Sequence, residues 1–463
     1  MFIRRLIDNL ADKPFEIDCI DIEVHGFVDH QPPLFKGPGI IYGNQSGPLS
    51  FKVYNQSPLT EATFRFLRKI DSEADPKSFQ VRLFAKDYEG MELIGGWSIP
   101  RVNLPQSGEV RGSVIHGEFN QLWTRVRKLE GDPDKDVSEL IFPGILNLPY
   151  SGRVEVKQCH ATEIVSTQGW NDHHNLTFKS ASIVFQESTN RNLTHIKASH
   201  YAGFNPPYVE HWITEALIFI TARIVYPRMV IRHCEDYAHV FIRATPKSAT
   251  SGMPPPFSRD PQVSGCTWDV FLSYLAKCEK SQSFEYISIS TGFYQLILAS
   301  NGTLQGFLTS LSLYIENCIN QIFSVSKKKK KDKDGRNKKE IEQFMLHVEN
   351  WSGNQKIKDR AKRLFHMLNS PDPSKSMDLL IAQGVIHKIH KNVWKKVRHY
   401  LAHGGLIDDF SKEEEYWQFR NYLLPMAYRL TFRILGYKGK VLDYDGKNFA
   451  FVEFAWDDNV PSK

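Results

Sequence analysis

Residues 176–199, LTFKSASIVFQESTNRNLTHIKAS, alternate apolar with polar side chains on both sides of a Thr-Asn-Arg-Asn break. Side chains of an extended chain point to opposite faces at every step, so this period of two marks two strands of a sheet with one buried face. The same signature recurs upstream, in DIEVHGFV (21–28), LSFKVYN (49–55), FQVRLFAKDY (79–88), EVRGSVIHGEF (109–119) and RVEVKQCHATEI (153–164). Gly, Pro, Asn and Ser clusters separate these segments, and short strands at such spacing predict a β-sandwich-like or barrel-like N-terminal domain over residues 1–205. Its tryptophans, Trp97, Trp123 and Trp170, are expected in its core.

Beyond residue 206 the pattern changes. PYVEHWITEALIFITARIVYP opens with a helix that Pro227 breaks, and a Pro- and Ser-rich loop follows from Thr245 to Gly265. Residues 206–302 are therefore assigned to a helical middle region. From residue 303 to 440 the period becomes helical. Leu308, Leu311, Ile315, Cys318, Ile319 and Ile322 form one stripe, and further helices are expected over 338–350, 355–369, 375–390, 391–403 and 413–435. In the last of these Trp417, Leu424, Tyr428 and Phe432 are expected to be buried, with a kink at Pro425. Gly384 suits a break, and Asp445-Gly446 suits the turn of a hairpin within a terminal segment 441–463. The fold class is thus α+β multidomain, a β-rich domain followed by an all-α bundle.

Composition narrows the function. The 463 residues are 41% hydrophobic and 12% aromatic, which specifies a globular chain of two or three domains. Six cysteines stand without a C-x-x-C pair, so neither a zinc knuckle nor a disulfide framework is indicated, and no cofactor is expected. The start, MFIRRLIDNLADKPFEID, lacks an apolar run of signal-peptide length, and no run of 18 apolar residues occurs, so a cytoplasmic protein without a membrane span is expected. There is neither a P-loop, a nucleophile elbow nor an H-E-x-x-H pair. The net charge of +6 concentrates in KKKKKDKDGRNKK (327–339). Such a run is read either as a solvated loop or as an electrostatic arm for RNA phosphates, in which Lys327, Lys328, Lys329, Lys330 and Lys331 are the RNA-binding candidates.

The chemistry-bearing segment is WKKVRHYLAHGG, residues 394–405. Arg398 and His403, with four residues between them, fall near the end of a helix that Gly404 and Gly405 terminate. A planar permanent cation suits phosphate oxygens, and an imidazole moves protons near neutrality. Spacing alone does not discriminate, because it recurs at Arg111 and His116, Arg153 and His160, Arg228 and His233, Arg232 and His239, and Arg360 and His366. The context of the last pair does, since an apolar helical face through Ile381, Val385, Ile386, Ile389, Val393, Trp394, Val397 and Leu401 packs it on a core. Arg398 and His403 lie about 140° apart on an ideal helix, so a joint site requires a frayed last turn or a second subunit. A capped helix with a solvent-facing cation is the non-catalytic alternative.

The arginine, the polar His399, and the Ala402-His403-Gly404 ending inside a helical domain resemble the signature of the HEPN superfamily. The ApeA branch of defence proteins, which joins a β-rich N-terminal domain to such a helical domain, is the most similar. The resemblance covers residues 303–440 and is architectural before them. It implies a metal-independent endoribonuclease that works as a homodimer in bacterial antiphage (abortive-infection) defence, with a phage-derived trigger and RNA, transfer RNA among the choices, as substrate. It also implies catalytic roles for Arg398 and His403, with His399 orienting the site. Glu316, amid the apolar stripe of its helix, is either a hydrogen-bonding support for Arg398 or His403 or a surface glutamate.

Overall fold

The computed structural model describes the chain except residues 1, 2, 12, 27–31, 45, 59, 71–79, 104–109, 134, 161–162, 189–191, 246–252, 258–263, 283–286, 330–334, 369–372, 403–412, 443–450 and 458–463. It divides into two compact units, Met1–Ala249 and Thr250–Lys463.

In the first unit, helix α1 (Ile3–Leu10) precedes strands β1 (Phe15–Gly26), β2 (Phe35–Gly43) and β3 (Leu49–Tyr54), then helix α2 (Glu61–Ile70). Next come β4 (Val81–Asp87), β5 (Glu92–Ser98), β6 (Arg101–Asn103), β7 (Val114–Phe119), β8 (Gln121–Arg127) and β9 (Val137–Pro143). Strands β10 (Gly152–His160), β11 (Glu163–Phe178), β12 (Ala181–Ser188) and β13 (Leu193–Ser199) lead to α3 (Tyr208–Thr221) and the hairpin β14 (Met229–His233) and β15 (Tyr237–Arg243). The fifteen strands form one antiparallel sheet in the order β10-β11-β12-β13-β9-β14-β15-β8-β5-β4-β1-β2-β3-β7-β6.

Period-two burial drives this pairing. Along β2 every second residue from Phe35 to Gly43 is buried, and β12 and β13 bury Ile183, Phe185, Leu193 and Ile196. The sheet curls until β7 approaches β5. An ideal Cβ on Gly117 of β7 would lie 2.5 Å from Ser98 Oγ and closer still to the Phe51 ring, so glycine permits the close approach. Phe51, Phe119, Ile22, Val24 and Leu83 fill the space inside the curl. Leu6 of α1 and Phe66 of α2 pack into the same core, the latter edge-on to Phe35 at 6.1 Å. Where a sandwich-like or barrel-like domain is expected, the strands form one continuous curled sheet. Both arrangements bury alternate residues, and only strand order separates them.

The boundary also moves. The expected middle region 206–302 does not stand by itself, because β14 pairs with β9 and β15 with β8, which places residues up to 249 with the sheet. The expected core positions of Trp97 and Trp123 are corrected as well. Trp97 is exposed and Trp123 half-buried, while the side chain of Trp170 lies outside the described residues.

In the second unit, α4 (Ser264–Ser281), α5 (Ser288–Ser300), α6 (Leu304–Lys329), α7 (Gly335–Asn350), α8 (Gln355–Leu368), α9 (Pro373–Ala382), α10 (Lys388–Ala402) and α11 (Glu413–Leu435) are followed by the two-stranded pair β16 (Gly439–Leu442) and β17 (Phe451–Phe454). Helix α6 is central and packs against α5, α9, α10 and α11. Its stripe of Leu308, Leu311, Ile315, Cys318 and Ile319 is buried, as is the facing stripe Leu423, Met426, Ala427 and Leu430 of α11. Of the run expected as a loop, residues 327–329 belong to α6 and residues 335–339 to α7, while 330–334 lie outside the described residues. Lysine is a good helix former, and the local propensity extends both helices into the charged run. Leu424, Tyr428 and Phe432 are buried as expected, whereas Trp417 is exposed. Among the described residues no helix is long and apolar enough to cross a membrane.

Candidate functional site

Helix α10 is set in place at both its start and its buried face. Gly384, at φ +79°, ends α9, and the Val385 N–H donates to Leu380 O at 2.9 Å to close that helix end. The buried His390 ring accepts from the His387 N–H through Nδ1 at 3.1 Å, which satisfies one of the donors left open at the new helix start. Lys391 Nζ, itself buried, lies 2.5 Å from Asp378 Oδ1 of α9. Val393, Trp394 and Val397 then anchor one face in the core, whereas Ile389, expected on that face, is exposed in the first turn and Leu401 is half-buried.

Arg398 projects from the edge of this anchored face, beside α6. Its Nη1 lies 3.2 Å from Glu316 Oε1 of α6, with the arginine side chain 47% exposed and the glutamate side chain 23% exposed. The guanidinium also sits over the Trp394 ring, 5.0 Å from the centroid. Trp394 is buried beneath it, one helical turn earlier. Of the two readings of Glu316, the contact to Arg398 is the one present. The ion pair and the indole orient the guanidinium while leaving it open to solvent on its remaining edges. His399 is exposed on the next position of the same helix. His403, the second half of the motif, lies outside the described residues, one position past the last helical residue, Ala402. Lys327, Lys328 and Lys329 occupy the last turn of α6, their side chains undescribed, and Lys330 and Lys331 lie outside the described residues.

The charges of α10 itself are of one sign. Helix α10, KIHKNVWKKVRHYLA, carries Lys388, Lys391, Lys395, Lys396 and Arg398 and no acidic residue. Lys388, Lys395 and Lys396 are exposed, so its solvent face is a cationic surface.

Two other arginine–histidine spacings are occupied structurally. Arg228 is buried and donates to Arg243 O and Asn44 O, and burial depresses its guanidinium to about 10. Arg232 is clamped by Glu210 of α3 through Nε at 2.5 Å and Nη2 at 3.1 Å.

A second polar cluster has no counterpart in the sequence motifs. Glu139 of β9 is 4% exposed, and His233 Nε2 of β14 donates to its Oε1 at 2.7 Å while His195 Nε2 of β13 lies 2.5 Å from Oε2. Lys197 Nζ approaches the same Oε2 at 3.8 Å. Register explains the convergence. Glu139 stands opposite Lys197 and Ile231, so His195 and His233 are its diagonal neighbours on one face. Burial alone would raise the Glu139 carboxyl, but hydrogen bonds from His195 and His233, with the charges of His195 and Lys197, hold it well below the ordinary carboxylate range. The residues are up to 94 positions apart, and the only local signal is a lone glutamate inside the apolar strand VSELIF.

Compared with protein-family models, with curated proteins and with solved structures, the chain matches none.

Proposed function

We propose that the chain is a metal-independent endoribonuclease of the HEPN type, acting in bacterial antiphage defence by abortive infection. The observation that carries this reading is Arg398, held at the end of an anchored helix by Glu316 and Trp394, half-exposed and carried on a helix that has lysines and no acidic residue of its own. In the proposed reaction the ribose 2′-hydroxyl attacks the adjacent phosphorus as the bond to the 5′-oxygen breaks. The products are a 2′,3′-cyclic phosphate and a free 5′-hydroxyl. One group takes the proton from the 2′-oxygen and another gives a proton to the leaving 5′-oxygen. His403 fills one of these roles, Arg398 binds the phosphoryl oxygens as charge gathers on them, and His399 orients the site. A second copy of the chain completes the acid–base set, since isologous pairing is the commonest oligomer geometry. The lysine run at 327–331 and the face of α10 draw in the polyanion, transfer RNA being a substrate whose loops expose unstacked bases.

The same ion pair also fits a non-catalytic helical module for RNA binding or dimerisation, in which Glu316 simply neutralises a surface cation. Incubating wild-type and His403→Ala protein with total RNA in EDTA, uninfected and after addition of phage-infected lysate, separates the two. Fragments ending in cyclic phosphate from wild type alone are expected. Intact RNA in every arm, or equal cleavage by the variant, would overturn the proposal.

A further inference from the structure

The sheet of the first unit is open at both ends, and its two edge strands differ. Strand β6 has three residues, too short to offer much to another chain. Strand β10 has nine, Gly152–His160, and its ladder lies on one side, with β11. The amide and carbonyl groups of the other side are a template for one more strand. The usual devices that blunt such an edge are missing from it. Its sequence, GRVEVKQCH, contains no proline. The register to β11 shifts twice, and both times the extra residue, Asp172 or Val165, belongs to β11, so β10 itself runs without a bulge.

The charges along β10 select its partner. Outward backbone groups recur at every second residue, so two antiparallel copies of one edge meet only with residues of the same parity opposite each other. The allowed registers are therefore those centred on a residue. In the register centred on Val156 the nine residues of each copy overlap from end to end, Gly152 opposite His160. Glu155 then stands opposite Lys157 of the second copy, Lys157 opposite its Glu155, and Val156 meets Val156 on the two-fold axis. Moving the centre by one residue either way opposes like charges. Centred on Glu155, the pairing sets Glu155 against Glu155 and Arg153 against Lys157; centred on Lys157, it sets Lys157 against Lys157. The strand matches itself in charge where its overlap is longest.

We propose that β10 is an edge for self-association, at which a second copy of the chain lays its own β10 antiparallel, so that the sheets of two copies run on into each other. The joint is about 30 Å long and closes roughly eight to ten hydrogen bonds. Opposite charges directly across antiparallel strands stabilise a pair and like charges destabilise it. The Glu155–Lys157 pairs therefore fix the register, and the same charges turn away strands of a different pattern. The proposal stands on the sheet edge and is independent of cleavage at Arg398 and His403.

A charge swap followed by sedimentation equilibrium of the full chain tests it. Wild type should self-associate. Glu155→Lys alone and Lys157→Glu alone, which set like charges opposite each other, should each raise the dissociation constant by about tenfold or more. The double variant Glu155→Lys with Lys157→Glu restores opposite charges and should return to within about threefold of wild type. An equimolar mixture of the two single variants should associate about tenfold more tightly than either alone, because each copy then faces its opposite. Neither rescue is available to a variant that has merely misfolded. Association through another surface, such as the end of α10, is indifferent to these charges, so failure here leaves the nuclease reading untouched. A wild type that stays monomeric, single variants that associate as tightly as wild type, or a mixture no tighter than its components would overturn the proposal.

Discussion

Replacing Arg398 by alanine separates catalysis from structure, because the geometry makes the structural cost small. Its ion pair with Glu316 is 47% exposed on the arginine side and 23% on the glutamate side, so solvent screens it. Pairs of that kind contribute about 0.2–1 kcal/mol. The guanidinium over Trp394, 5.0 Å from the ring, adds about 0.5–1 kcal/mol. The summed loss is about 1–2 kcal/mol, which lowers the melting point of a unit of this size by roughly 2–8 °C. If Arg398 stabilises charge on the phosphoryl oxygens, its removal costs about 10²- to 10³-fold in cleavage rate. The two numbers are measured on one preparation, by thermal unfolding and by single-turnover cleavage of a labelled RNA. A cycle with Glu316→Ala should give a coupling below about 1 kcal/mol in stability. An Arg398→Ala protein that melts more than about 15 °C lower would show that the arginine is structural, and one that cuts within tenfold of wild type would show that it does not serve the reaction.

Further outcomes follow from other elements. Because its partners hold the Glu139 carboxyl below its ordinary value of 4.5, the folded state releases that proton more readily than the unfolded chain does. The stabilisation is therefore complete above about pH 4.5 and is lost as pH falls through the folded value. Glu139→Gln should cost about 3–5 kcal/mol at pH 7 and progressively less in melts taken below pH 4.5; a constant difference across pH 3–7 would contradict the assignment. Gly117→Ala should destabilise the first unit by about 1–3 kcal/mol, since the added methyl meets Phe51 and Ser98 within 2.5 Å, and denaturant titration measures it. Replacing Lys327 through Lys331 by glutamine should weaken RNA association mainly at low salt, reducing the log–log slope by about 0.7 per phosphate no longer neutralised, while residual cleavage persists; total loss of cleavage would show that the run belongs to the site itself.

What can be read without the structure is what local pattern encodes. Residues 176–199 alternate over most of their length, and they form β12, β13 and the end of β11. The stripe on α6 and the break at Gly384 are equally legible, because each depends on residues within one or two turns. Strand order is not, since nothing within β9 says that β14, almost ninety positions later, will pair with it. For the same reason the sequence misdivides the middle region. The hairpin of β14 and β15 has the alternation of a strand pair, MVIRH and YAHVFIR, but its allegiance to the sheet is decided by long-range register. Trp97 of β5 and Trp123 of β8 are misplaced by propensity, because tryptophan is on average a highly buried residue. At the candidate site the helix, its apolar face and the contact of Glu316 with Arg398 are within reach of the sequence, while the triad around Glu139 is not.

The arrangement at Arg398 sets a condition on any phosphate that approaches it. Glu316 takes one edge of the guanidinium, and the fork has donors enough to offer another edge to a phosphate at the same time. The phosphate then stands within roughly 6 Å of the carboxylate. At an effective dielectric of about 20 the repulsion between unit charges at that distance is on the order of 3 kcal/mol. Glu316 therefore fixes the arginine's orientation at the expense of ground-state affinity, which does not slow catalysis when the interaction with Arg398 strengthens as charge moves onto the phosphoryl oxygens. The acid–base side has a different requirement. One imidazole serves one of the two proton transfers at a time, so a His403 that donates to the leaving oxygen leaves the proton of the attacking 2′-hydroxyl without an acceptor from the same position. A second α10 end, supplied by another copy, provides that acceptor, so the proposed chemistry ties activity to self-association: cleavage rate should rise with the square of protein concentration at high dilution and become linear once the dimer is saturated.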